Sequence, residues 1–213
     1  MSKLQFQIAT EPDDIRQIRA LNYRTFVEEI PQHGPNSDHS LADRFERESV
    51  FFVCRNEGQI VGMIALRSNR PFSLDAKLPD LDSYLPAHQS PCEIRLLAVE
   101  ATHRNGRILT GLLAMVHRYF QTRGHDLALI SGTLRQTKLY EHMGFIPFGP
   151  VVGSADAPYQ PMCLPIDRFR QRVAAENRLV SAELLREEVN LLPGPVYLAP
   201  AVQAALVAKP VSH

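Results

Sequence analysis

Three stretches of the chain hold residue types whose spacing could support chemistry. The first is Glu93-Ile94-Arg95-Leu96-Leu97-Ala98-Val99, a carboxylate at the head of an apolar run. The run reads as a buried strand that leads into the next stretch. The second is the loop His103-Arg104-Asn105-Gly106-Arg107, directly before a helical pattern. A helix N-terminus presents unpaired N–H groups and a partial positive charge, so it can hold a phosphate. Arg104 and Arg107 would add full charges for a pyrophosphate-like anion, although a solvated arginine turn reads the same way. The third is Leu139-Tyr140-Glu141-His142-Met143-Gly144-Phe145. A phenol four residues before a helix-ending glycine can donate a proton to a leaving thiolate, or serve as an interfacial core tyrosine.

Positioning these groups requires strands and helices around them. Residues 4–8 alternate apolar and polar and read as a strand, and Thr10 is placed to cap a helix carrying Ile15, Ile18 and Leu21 at helical spacing. Residues 50–54 and 59–66 flank Asn56-Glu57-Gly58 and read as a hairpin. Residues 67–91 carry four prolines and no sustained period, which marks either a functional loop or a surface insertion. The 93–99 run reads as a buried strand. Leu109, Leu112, Leu113, Val116, Tyr119 and Phe120 form one stripe of a helix ended by Gly124, with His117 on the opposite, solvent-facing side. A strand at 127–130, a short helix at 135–143, strands at 145–152 and 160–164, and a charged helix at 167–189 complete the reading.

Composition narrows the function classes. The 213 residues are 45% apolar and 22% charged, as in a globular protein, and 23 basic residues balance 23 acidic ones. No net field draws the chain to nucleic acid or a membrane, so an anionic ligand must be met locally. No run approaches the roughly 20 apolar residues of a membrane span, and the N-terminus lacks a signal-peptide stretch; the expectation is a soluble, cytoplasmic protein. Cys54, Cys92 and Cys163 are odd in number, lie in apolar runs and read as small buried side chains. The histidines show no metal-ligand spacing, with His103 left as a phosphate ligand or base, and Ser131 lacks a hydrolase context.

In order and spacing, Glu93 to Phe148 resembles the central motifs of the GNAT superfamily of acyltransferases. The resemblance rests on the 93–99 strand, the loop from Arg104, the Leu112-Leu113 pair and the Tyr-x-x-x-Gly-Phe ending at Tyr140. It implies an α/β fold with a mixed, splayed central sheet flanked by helices. It also implies acetyl-CoA or another acyl-CoA as donor, a small-molecule amine as acceptor, no metal, and a homodimer as one arrangement. Carried over by position, Arg104, Asn105, Gly106, Arg107, Ile108 and Leu109 cover the pyrophosphate loop. The backbone near Leu97, Ala98 and Val99 would hold the thioester carbonyl and its developing oxyanion. Tyr140 falls on the thiolate-protonating tyrosine, and Glu93 on a glutamate that deprotonates the amine directly or through water, although Glu93 could equally be an ion-pair partner for a nearby arginine.

The sequence departs from the superfamily where two loop glycines become Arg107 and Leu109, and where Thr133 stands near an expected asparagine. With the 67–91 insertion and Tyr159-Gln160-Pro161-Met162, these departures resemble the branch of N-acyl amino acid synthases and acyl-homoserine-lactone synthases. That likeness implies longer acyl chains and acyl carrier protein as an alternative donor, with Arg67, Arg70 and Lys77 available to dock it. Phe72, Leu74, Leu78, Leu81, Tyr84 and Leu85 could line an acyl tunnel or simply pin the insertion. Residues 191–213 resemble the opening of class V aminotransferases, so the expected organisation is an acyltransferase domain at 1–168, a helical linker at 169–190 and an aminotransferase-like start at 191–213. The rival function is a non-catalytic thioester-binding or scaffolding module of such a fusion, which the missing glycines favour.

Overall fold

The computed structural model describes residues 4–155, 157–169 and 171. They form two compact units, one drawn from residues 4–66 and Leu96–Val116, the other from Arg67–Arg95 and the described residues from His117 to Gln171. The strand and helix that carry the first two motifs run from one unit into the other. The expected linker, apart from Phe169 and Gln171, and the 191–213 segment lie outside the described residues.

In the first unit, β1 (Gln5–Ile8) pairs antiparallel with β2 (Val50–Asn56), from Gln5↔Arg55 to Ile8↔Phe52. A two-residue turn, Glu57-Gly58, joins β2 to β3 (Gln59–Arg67) with φ of 51° and 82°. Two positive φ values match the twist of an antiparallel hairpin. Helix α1 (Pro12–Tyr23) begins one residue later than the Thr10 cap would set it: Pro12 opens the helix and Glu11 becomes the N-cap. The buried Asp14 carboxylate accepts the N–H groups of Thr10 (2.7 Å) and Glu11 (3.0 Å) and pairs with Arg55. Ile18 and Leu21 of α1 pack with Phe51, Val53, Met63 and Ala65 of the hairpin and with Ala98 of β4 (Pro91–Val99).

Helix α2 (Arg107–Arg123) buries Ile108, Leu112, Met115, Val116, Tyr119 and Phe120. Its stripe thus starts at Ile108, with Leu109 and Leu113 half-buried at its border. Glycines let it lie close. A Cβ at Gly62 would meet Ile108 at 2.4 Å, and one at Gly111 would meet the Phe6 ring at 2.2 Å. His117 is not solvent-facing: it is half-buried, 5.2 Å from the Phe169 ring.

In the second unit, the first residues of β4 run parallel to β5 (Leu127–Thr133), from Pro91↔Leu127 to Glu93↔Leu129. That ladder is only three residues long, although β5 stays paired antiparallel to β8 (Pro158–Pro165) as far as Thr133↔Tyr159. Parallel and antiparallel pairs together make the sheet mixed, as expected. Helix α3 (Thr137–Met143) ends at Gly144, whose φ of 101° suits a residue without Cβ. The strand expected at 145–152 is two fragments, β6 (Ile146–Pro147) and β7 (Val152–Gly153), both paired to β8. Gly149, at φ 60°, turns the chain between them, and Pro150 has no N–H for a ladder.

Candidate active site

Tyr140 is held from three sides. Its ring lies on Gly132 of β5, where a Cβ would come within 2.9 Å of both Cδ2 and Cε2, with Met162 Sδ 3.3 Å from the same point. The Phe145 ring meets it edge-on at 6.4 Å. The hydroxyl donates to Gln136 Oε1 at 2.8 Å, one turn earlier. Burial pushes the phenol's pKa up, against a smaller lowering by Thr133, so the group stays a protonated acid through neutral pH. Gly132 was not singled out from the sequence. Its signal was present, because an isolated glycine inside a strand often marks a close approach.

Glu93 is fully buried. The Ser73 N–H donates to both its oxygens, at 3.0 and 2.9 Å, and the Ser73 hydroxyl donates to Oε1. Arg95 Nη1 stands 3.7 Å from Oε2. Both sequence readings, proton acceptor and ion-pair partner, thus meet a carboxylate whose main partner is a serine in the insertion, 20 residues earlier. The insertion is anchored beside that serine: Phe72, Leu74, Leu78 and Leu81 pack on Leu127, Leu129 and Cys163. Those four side chains pin the segment. Leu85 is half-buried against them, while Tyr84 is exposed.

Of the three cations named for docking a carrier protein, one is buried, Arg70 is exposed and Lys77 is half-buried. Arg67 is buried and donates to Asn69 O at 2.9 Å. Arg70 pairs with Asp75 and Asp82. The Lys77 ammonium bonds to Ser131 Oγ at 3.2 Å and lies 4.6 Å over the Tyr159 ring. These cations are committed to internal partners.

In the other unit, Leu96 takes a left-handed φ of 52° within β4. A side-chain-bearing residue there costs about 1–3 kcal/mol and re-aims the strand after it, which is Leu97, Ala98 and Val99. Arg104 has partners within its own unit. Its Nε donates to Val99 O at 2.9 Å, and both terminal nitrogens bind the Glu29 carboxylate at 2.5 Å. The Arg104 guanidinium holds the Glu29 carboxyl below its usual range, and Glu29 raises Arg104 in turn. Arg104 thus joins β4 to the Glu29 segment through an exposed ion pair.

The rest of the loop keeps an anion-facing character. Asn105 Oδ1 accepts the Arg107 N–H at 3.1 Å, and Gly106 adopts φ 84°. The first i→i−4 bond of α2 runs from Thr110 N to Gly106 O. The Ile108 and Leu109 N–H groups precede it, in the part of a helix that lacks internal acceptors. Arg107 is exposed and the Leu109 side chain is half-buried. His103 is bonded through its two ring nitrogens to Thr102 (2.9 Å) and Asn56 (3.2 Å).

Beside Arg104 lies a cavity of about 340 Å³, lined by Arg24, Glu28, Glu29, Glu100 and Arg104 among others. Arg24 pairs with Glu100 and opens a π-helical segment, Arg24–Glu29, a rare form frequent at functional sites. The sequence reading missed this cavity, since no local pattern joins positions 24–29 to 99–104. Glu93 and Tyr140 therefore stand in one unit and Leu97–Leu109 in the other. Among the described residues, no group of three or more His, Cys, Asp and Glu side chains could hold a metal ion, and no helix is long and apolar enough to cross a membrane.

Comparison with known proteins supplies the family context. The family model for the N-acyl amino acid synthase FeeM matches residues 17–165. No curated protein matches the chain. Among solved structures, FeeM, an N-acyl amino acid synthase from uncultured soil microbes, is 18% identical with a TM-score of 0.66, covering 83% of this chain and 99% of that one. The CoA-dependent acyl-homoserine lactone synthase BjaI, solved with SAM and isopentyl-CoA, is 17% identical with a TM-score of 0.66, covering 82% and 90%. The acyl-homoserine lactone synthase LasI is 15% identical with a TM-score of 0.64, covering 78% and 91%. At such identities the likeness to these structures concerns the fold, which is that of GNAT-like acyltransferases.

Proposed function

Because the chain belongs to the N-acyl amino acid synthase FeeM family, we propose that this N-acyltransferase moves an acyl group from acyl-CoA to the α-amino group of an amino acid. The observation that carries the reading at residue level is Tyr140, a half-buried phenol fixed on Gly132 and kept protonated by its surroundings. An acid of that kind suits a step that expels a thiolate. The Ile108 and Leu109 N–H groups at the start of α2 fit a diphosphate, with Arg107 beside them. Arg104 stands at the same junction, paired with Glu29 across an exposed ion pair.

In the proposed reaction a neutral amine attacks the thioester carbonyl, and strand N–H groups among Leu97, Ala98 and Val99 receive the developing oxyanion. Glu93 accepts the amine's proton, and Tyr140 protonates the departing thiolate. The test is amide formation from acyl-CoA and a panel of amino acids, with Tyr140→Phe as control. Full turnover in that variant at saturating substrates removes Tyr140 from the mechanism.

One observation favours a second reading, in which the chain binds acyl thioesters without transferring the acyl group. The loop lacks two glycines, and its first arginine is bound to Glu29. Tight acyl-CoA binding with no amide product from any amine would establish it. The organisation with a linker at 169–190 and a fused aminotransferase from 191 stands as a proposal on sequence pattern, and a stop codon directly after His213 in the native gene would sink it.

A further inference from the structure

Glu93 has no exposed surface, so the neighbours bonded to its carboxylate decide how the chain can pass it a proton. Those neighbours are the Ser73 main-chain N–H, the Ser73 hydroxyl and the Arg95 guanidinium at 3.7 Å. An amide N–H and a guanidinium keep their protons throughout the working pH range and have no lone pair to take another. The hydroxyl differs, because it donates one proton to Glu93 Oε1 while its own oxygen accepts a second. Ser73 is also the outer member of the pair, 5% exposed against 0% for Glu93. Phe72 and Leu74, both buried, flank it and fix it in place. Glu93↔Leu129 is moreover the last rung of the β4–β5 ladder, so the couple stands where those strands cease to pair.

We propose that Ser73 is the proton relay between the acceptor amine and Glu93, an inference that rests on the acyl-transfer reading above. As the amine nitrogen bonds to the thioester carbon, its N–H proton passes to Ser73 Oγ and the Oγ–H proton passes to Glu93. As the C–S bond breaks, the thiolate takes the phenolic proton of Tyr140. Solvent then removes the Glu93 proton back through Ser73 and reprotonates Tyr140. One amide and one thiol form, with no net change in protons.

The experiment is steady-state turnover of the full chain with acyl-CoA and amino acid, for wild type, Ser73→Ala and Ser73→Thr, beside their thermal melts. Ser73→Ala deletes only Oγ, leaving the N–H that holds Glu93. The expected result is a kcat loss of about 10²-fold, typical of a lost proton-transfer group, with an unchanged acyl-CoA KM and recovery of most of the rate by the hydroxyl of Ser73→Thr. If the alanine variant does not melt cooperatively, Ser73→Gly, which removes the hydroxyl together with Cβ, takes its place. Wild-type kcat in the deletion variant, or equal losses in the deletion and threonine variants, overturns the relay while leaving acyl transfer standing. Absence of amide product from wild type instead overturns the acyl-transfer reading, and the relay falls with it.

Discussion

Replacing Gly132 with alanine tests the placement of the Tyr140 phenol without altering the tyrosine. The new Cβ would lie 2.9 Å from two ring carbons, whereas ordinary contact begins at 3.4 Å, so the ring must withdraw by about half an ångström. That movement disturbs the 2.8 Å bond to Gln136 that orients the hydroxyl. Two opposing effects set the stability change. Overpacking costs typically about 1–3 kcal/mol, and alanine's narrower unfolded ensemble offsets about 0.4–1 kcal/mol. The variant should fold with a Tm a few degrees lower. Catalysis should suffer more, because a misplacement of about 1 Å can cost about 10²-fold, which puts half that displacement near tenfold. The assay is thiol release at saturating acyl-CoA and amine for wild type, Gly132→Ala, Tyr140→Phe and the double variant. If glycine acts through the phenol, Gly132→Ala loses about tenfold in the wild-type background and less than about twofold in the Tyr140→Phe background. The same loss in both backgrounds, or none in either, refutes the argument.

Other consequences are independent of that cycle. Since burial raises the Tyr140 pKa above its ordinary 10.0, the acid form persists as pH rises, and the alkaline fall in kcat should lie above pH 10 and vanish in Tyr140→Phe. Burial pushes the Cys92 thiol up to about 12 and also raises Cys163, while Cys54 is fully buried. A neutral alkylating agent at pH 8 should therefore leave the native chain unmodified at all three cysteines and label them only after denaturation, as mass spectrometry would show. Arg104→Ala should leave acyl-CoA affinity within about threefold and lower stability by no more than about 1 kcal/mol, because the Glu29 pair is substantially exposed. The folded Glu29 carboxyl is lowered from 4.5, so the pair's contribution is present above that value and fades as pH falls through the lowered one. Wild type and Arg104→Ala should accordingly converge in Tm at strongly acidic pH.

The parts of the fold visible in the sequence are those governed by local rules. Gly144 ends α3 at a left-handed φ, as its place after an apolar-periodic segment indicates. Asn56-Glu57-Gly58 turns the β2–β3 hairpin because two consecutive positive-φ positions are needed there. The helix after the arginine loop follows from its stripe, displaced by one residue to Ile108. What stayed hidden depends on distant partners. Nothing near Arg104 announces that Glu29, 75 positions earlier, fills its fork. Nothing near Glu93 indicates a serine in an aperiodic insertion. The role of Gly132 depends on which ring packs over it, and strand register decides that. Departures from the superfamily loop were visible as residue types at 107 and 109. The proposed consequence, a phosphate site that relies on backbone N–H groups and Arg107, needed the geometry of the α2 N-terminus.

The most direct test of acyl transfer to an amino acid is to incubate the chain with a series of acyl-CoA donors and amino acids, and to quantify free thiol and amide together. The account predicts N-acyl amino acid and free CoA in a one-to-one ratio, with a rate that collapses in Tyr140→Phe. Thiol release without amide, or no product from any donor and amine while acyl-CoA still binds, would contradict it.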